Sequence, residues 1–123
     1  MASRLLHKGL LIALMLAAWA RLSAQDTRQQ VQAVVDGVRS PQHAHEAALL
    51  IRQLPGVEMC RVDHNTRNLL LHLHAGGTVT EAQLEEVIAP LGMGLRCVRT
   101  GPVQGASFRH LDPRTCEDPP AAR

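Results

Sequence analysis

Residues 36–57 read DGVRSPQHAHEAALLIRQLPGV, and this stretch decides the fold. Gly37 allows a sharp turn after the apolar-alternating run that precedes it. Ser40 is a good N-cap, and Pro41 then occupies the first helical position, where a missing N–H costs nothing. Ala47, Leu50, Ile51 and Leu54 recur at i, i+3, i+4, i+7, which predicts one apolar face on a helix of about three turns. Pro55-Gly56 stops that helix and Val57 opens a strand. The unit is strand, loop, helix, strand, and its loop displays Ser40 and His43 at the helix start.

Outward on the N-terminal side, Val31, Ala33 and Val35 alternate with Gln32, Val34 and Asp36, a period that suits a strand with one buried face. On the C-terminal side, Val57 to Asp63 reads as a second strand, with Cys60 and Val62 on one face and Met59 and Arg61 on the other. His64-Asn65-Thr66-Arg67 is a hairpin turn into a third strand. There Leu69, Leu71 and Leu73 form the buried face, and Leu70, His72 and His74 the opposite one. Thr80 with Gln83 makes a capping box, and Leu84, Val87, Ile88 and Leu91 repeat the helical spacing until Pro90 and Gly92 close it. Met93 to Val98 is a short fourth strand with Leu95 and Cys97 inward. The order βαββαβ predicts an α+β, ferredoxin-like sandwich: a four-stranded antiparallel sheet with two helices on one face.

The quoted stretch resembles the heavy-metal-associated domain of copper chaperones and metal-pumping ATPases. That family writes G-M-x-C-x-x-C, a helix, then L-P-G-V. Gly37, Val38, Ser40 and His43 fall on the Gly, Met and two Cys positions, and Leu54-Pro55-Gly56-Val57 on L-P-G-V. The metal-binding pair of cysteines is thus replaced by Ser40-Pro41-Gln42-His43. The likeness spans residues 31–99, including Val62-Asp63 and Gly92.

Residues 1–24 read as a secretory signal peptide: Arg4, His7 and Lys8 form a basic start, and Gly9 to Ala20 an apolar run too short for a span of about 20 residues. Leu22-Ser23-Ala24 offers the cleavage site, and an uncleaved anchor is the alternative reading. The expected product is exported, periplasmic or secreted, with no membrane span after cleavage. Residues 25–30 are expected to be loose, and the Pro- and Gly-punctuated residues 100–123 to form a tail, either disordered or laid along the domain. Removing Arg4, Lys8 and Arg21 takes three of the 13 basic residues, leaving 10 against 11 acidic ones and no lysine. Nucleic-acid binding therefore loses its electrostatic support. Phe108 is the sole aromatic residue left, so stacking platforms are excluded too.

Three cysteines, Cys60, Cys97 and Cys116, in an exported chain leave at least one unpaired within the molecule. With the strand order that the resemblance implies, Cys60 and Cys97 lie at opposite sheet edges about 14 Å apart, beyond the roughly 7 Å reach of a disulfide. Cys97 with Cys116 is the feasible bridge. The alternative is two buried, inert thiols at 60 and 97 and a free one at 116.

The expected topology carries Ser40, His43, His45, His64 and Met93 towards one end of the molecule. The resemblance implies a copper or zinc ion there and a metal-transport protein as partner. His43 is a credible imidazole donor, with His45, His64 and Met93 needed to complete a site. Ser40 stands at a ligand position but reads better as an N-cap, and Met93 better as packing. The plainer alternative makes His43 and His45 solvated first-turn side chains. No nucleophile, base and orienting partner are grouped in the sequence, so an enzyme is not expected. Two readings follow: a non-catalytic domain that binds or carries a transition metal at a modified loop, or a degenerate domain that has lost the metal. The second would act as a protein-interaction module, through a bare sheet face (Val34, Leu70, Met59) or its tail. A thiol-dependent redox role for Cys116 is a third class.

Overall fold

The computed structural model describes residues 28–103 and 109–117. The expected signal peptide, its cleavage site, residues 25–27 and Phe108 lie outside the described residues. The elements are β1 (Gln29–Asp36), α1 (Pro41–Arg52), β2 (Val57–Val62), β3 (Asn68–Leu73), α2 (Glu81–Ile88) continued by a 3-10 turn (Ala89–Leu91), and β4 (Gly94–Pro102). The strands form one sheet in the order β2-β3-β1-β4, with every neighbouring pair antiparallel. The fold is the expected ferredoxin-like α+β arrangement.

The core lies between the two helices and one sheet face. Val31, Ala33 and Val35 from β1, Leu69, Leu71 and Leu73 from β3, and Cys60 from β2 meet Ala47, Ala48 and Ile51 of α1 and Leu84 and Ile88 of α2. Thr80 caps α2 reciprocally: its hydroxyl accepts from the Gln83 N–H (3.1 Å), and the Gln83 side-chain oxygen accepts from the Thr80 N–H (2.9 Å). The α1 stripe is displaced from the one its periodicity predicts. Its buried residues are His43, Ala44, Ala47, Ala48 and Ile51, whereas Leu50 is 37% exposed. The buried face runs through the His43, Ala47, Ile51 row and the Ala44, Ala48 row, three of whose five residues are alanines, and Leu50 lies outside it.

β4 corrects a second expectation. Gln32 pairs with Arg99 and Val34 with Arg96, so β4 spends one more residue than β1 over that interval, a β-bulge. Cys97 sits in it at φ +59°. The extra residue shifts the alternation, so that Val98, not Cys97, follows Leu95 onto the core. Cys97 is released to bond Cys116, at a Cα separation of 5.3 Å, which is the feasible bridge of the sequence reading.

The second sheet face is not bare. Val34 is fully buried although it belongs to no part of the helix-side core. Its cross-strand neighbour Asn68 grips the returning tail: Asn68 Oδ1 accepts from the Leu111 N–H (2.7 Å), and Asn68 Nδ2 donates to the Leu111 carbonyl (2.9 Å). The Gln32 side chain donates to the Arg109 carbonyl (2.5 Å), and the Arg99 guanidinium to the Cys116 carbonyl. Leu111 is 1% exposed, a burial that contributes about 1.5–3 kcal/mol. A valine in the middle of a sheet needs an apolar cover, and the chain supplies it from its own C-terminal part.

Candidate functional site

The loop between β1 and α1 is built by close approach. Gly37 has φ +88°, and a Cβ there would stand 2.4 Å from the Gly92 carbonyl oxygen, so only glycine lets the loop press against the turn after α2. Ser40 is extended (φ −159°) and caps α1, its hydroxyl accepting from the His43 N–H at 3.0 Å.

His43 is 7% exposed and turned inward. Its Nδ1 accepts from the Arg39 backbone N–H (3.1 Å), and its Nε2 lies 2.9 Å from the Leu91 carbonyl oxygen. A carbonyl only accepts, so Nε2 carries the proton and Nδ1 the lone pair. The Arg39 guanidinium nitrogen 3.5 Å from Nε2 then faces another donor and is a contact, not a hydrogen bond. One ring ties together the loop before α1, the helix itself and the turn after α2. Beside it is a shallow hollow of about 330 Å³ lined by Arg39, Ser40, Gln42, His43 and Glu46.

The remaining expected donors do not gather there. Met93 is 5% exposed and part of the hydrophobic core. His45 is exposed and borders a different hollow, with Arg52, Arg61 and Asp63. His64 lies in the β2–β3 turn, its Nδ1 buried without a hydrogen-bond partner. In the same turn the Thr66 hydroxyl (2.7 Å) chiefly, with the Asn65 N–H (3.2 Å), holds the Asp63 carboxyl below the usual carboxylate range. Among the described residues no three His, Cys, Asp or Glu side chains stand together as a metal would require. Both His43 nitrogens and the Ser40 hydroxyl are engaged, so the loop as folded does not fit a metal ion. His43 is also not the solvated first-turn side chain of the plainer reading.

Cys60 offers no substitute. It is fully buried, and burial pushes its thiol up to about 12, against a weaker opposing pull from Arg52. The Arg52 guanidinium instead donates through Nε and Nη2 to the Cys60 carbonyl (3.3 and 3.1 Å), occupying a backbone acceptor on the edge strand β2.

Together the strand order, the β1–α1 loop and the two-helix layer define a heavy-metal-associated-type ferredoxin-like fold. Among solved structures the chain is similar to the N-terminal domain of a potential copper-translocating P-type ATPase from Bacillus subtilis in the Cu(I)-loaded state. The TM-score is 0.50 and the identity 14%, over 56% of this chain and 85% of that one. The N-terminal domain of PacS from Synechocystis PCC6803 aligns at TM-score 0.47 and 21% identity, over 57% of this chain and 96% of that one. The CopZ metallochaperone aligns at TM-score 0.49 and 15% identity, over 55% and 98%. At these identities the likeness concerns the fold. No family model and no curated protein sequence matches the chain.

Proposed function

We infer that this chain is an exported, non-catalytic domain that keeps the heavy-metal-associated fold, no longer holds metal in its loop, and works by contact with another protein. One observation carries the reading: both ring nitrogens of His43, at the family's second ligand position, are bound to backbone groups. Export is supported by the Cys97–Cys116 bridge, which suits an oxidising compartment, and by the basic-then-apolar start of the sequence. A partner from metal transport is supported by the fold shared with a domain of a potential copper-translocating P-type ATPase. With Val34 covered by the tail, the large apolar side chains exposed among the described residues are Leu49 (42% exposed) and Leu50 (37%), adjacent on α1.

The rival reading keeps copper or zinc at the loop, and the hollow beside His43 is the observation in its favour. Titrating residues 25–123 with Zn(II), Cu(II) and Cu(I), beside a His43→Ala variant, separates the two. The closed-loop reading expects the same affinities in both proteins. A micromolar or tighter site abolished by His43→Ala returns the loop to metal binding.

A further inference from the structure

The outer sheet face has a second end, away from the Leu111 clamp, and its side chains are of a different kind. His72 and His74 are two residues apart along β3 and its continuation, so both project from that face, with Cα atoms about 7 Å apart. Met59 on β2 stands directly opposite His72, which places the two Cβ atoms about 5 Å apart. This pairing continues the regular register of Cys60 with Leu71, Arg61 with Leu70 and Val62 with Leu69. The ladder becomes irregular only beyond it, where Val57 pairs with Leu73 and Glu58 is the extra residue of a bulge.

We propose that His72, His74 and Met59 form a copper site on the outer face of the sheet, separate from the β1–α1 loop. Two imidazoles and a thioether are nitrogen and soft-sulfur donors. That set favours copper, above all Cu(I), over oxygen-seeking magnesium or calcium, and its sulfur discriminates against zinc. Neither imidazole has a hydrogen-bond partner among the described residues, and neither is among their buried unpaired side-chain atoms. His43, with both nitrogens engaged, is the opposite case. One nearby positive charge is paired: the Arg28 guanidinium lies 3.0 and 3.2 Å from the two oxygens of Glu58. His72 and Met59 are half-buried, which keeps the donors in place, while His74 is exposed and supplies the entry side. The site stands whether or not the loop reading does.

The test is competition for Cu(I) against a chromophoric chelator, with ascorbate as reductant so that the disulfide stays intact, and parallel titrations with Cu(II) and Zn(II). The protein is residues 25–123, and circular dichroism checks the fold of each variant. One Cu(I) per chain is expected, with affinity falling at least 100-fold in His72→Ala/His74→Ala. Met59→Leu should weaken Cu(I) about tenfold and leave Zn(II) unchanged, and His43→Ala should change neither. Undiminished Cu(I) binding in the folded double-histidine variant overturns the site. So does loss confined to His43→Ala, or the absence of Cu(I) binding tighter than micromolar. Equal effects of Met59→Leu on Cu(I) and Zn(II) overturn the role given to the sulfur.

Discussion

Replacing His43 by alanine tests whether the ring is a structural hub. The variant loses two hydrogen bonds, to the Arg39 N–H and the Leu91 carbonyl, each contributing about 1 kcal/mol net. It also empties a site only 7% exposed, which adds about 1 kcal/mol of lost burial. The sum, about 3 kcal/mol, corresponds to a fall in Tm of roughly 10–20 °C for a domain of this size. Thermal unfolding followed by circular dichroism in non-reducing buffer measures it. His45→Ala, two residues away and exposed, is the internal control and should stay within about 0.5 kcal/mol of wild type. If His43→Ala melts within about 3 °C of wild type, the ring is not holding the loop, and the argument that its nitrogens are withdrawn from metal fails with it.

Cys116→Ser should cost about 3 kcal/mol, because the bridge closes a loop of 19 residues, and should increase hydrogen exchange at Leu111; unchanged stability would refute the clamp. The side-chain hydrogen bond from Arg96, with help from Arg67, holds the Asp36 carboxyl below its ordinary value. Its contribution is therefore complete above about pH 4, the unfolded carboxylate value, and disappears as pH falls through the lower folded value. In acid unfolding the stability gap between wild type and Asp36→Asn should be flat near neutrality and close below about pH 4; a gap that widens in acid would be the wrong sign. Ser40→Cys/His43→Cys should gain Cu(I) binding by at least 100-fold while lowering Tm, since it removes a cap and both ring contacts. No gain would mean that the loop differs from a metal loop in more than its two side chains.

Much of the fold was legible because its signals are local. Ser40-Pro41 and Thr80 with Gln83 state helix starts in hydrogen-bond chemistry that needs no distant partner, and both caps form as read. The alternation of Leu69, Leu71 and Leu73 fixes which face of β3 is buried. The readings that failed depend on what stands opposite. Leu50 obeys the helical period, but the face turned to the sheet is the row of His43, Ala44, Ala47, Ala48 and Ile51, and which row faces the sheet is set by packing and not by the period. Cys97 obeys the strand period until a bulge, set by pairing with β1, shifts the alternation. Alternation alone puts Val34 on the exposed face, and no periodicity announces that Leu111 will return to cover that face. Asn68 was the available clue: an amide opening a leucine-rich strand is costly unless its polar ends are matched.

The same distinction explains the loop. Ligand positions could be read from spacing, but whether an imidazole nitrogen is free depends on Leu91, 48 residues away, and on the Gly37–Gly92 approach that brings the two turns together. In the resemblance two thiolates place negative charge at the positive end of a helix. Here the same end is answered without charge, the Ser40 hydroxyl taking the His43 N–H and the His43 ring taking the Arg39 N–H. These substitutions form a connected set: the one lone pair of the neutral His43 ring is taken by a backbone N–H and the Ser40 hydroxyl is held as a cap, whereas transfer of a metal needs donors that can exchange. A loop secured in this way resists handing metal on for the same reason that it keeps its shape when empty. Among the described residues His72 and His74 have no hydrogen-bond partner, which is why the proposed copper site falls on them and not on the loop.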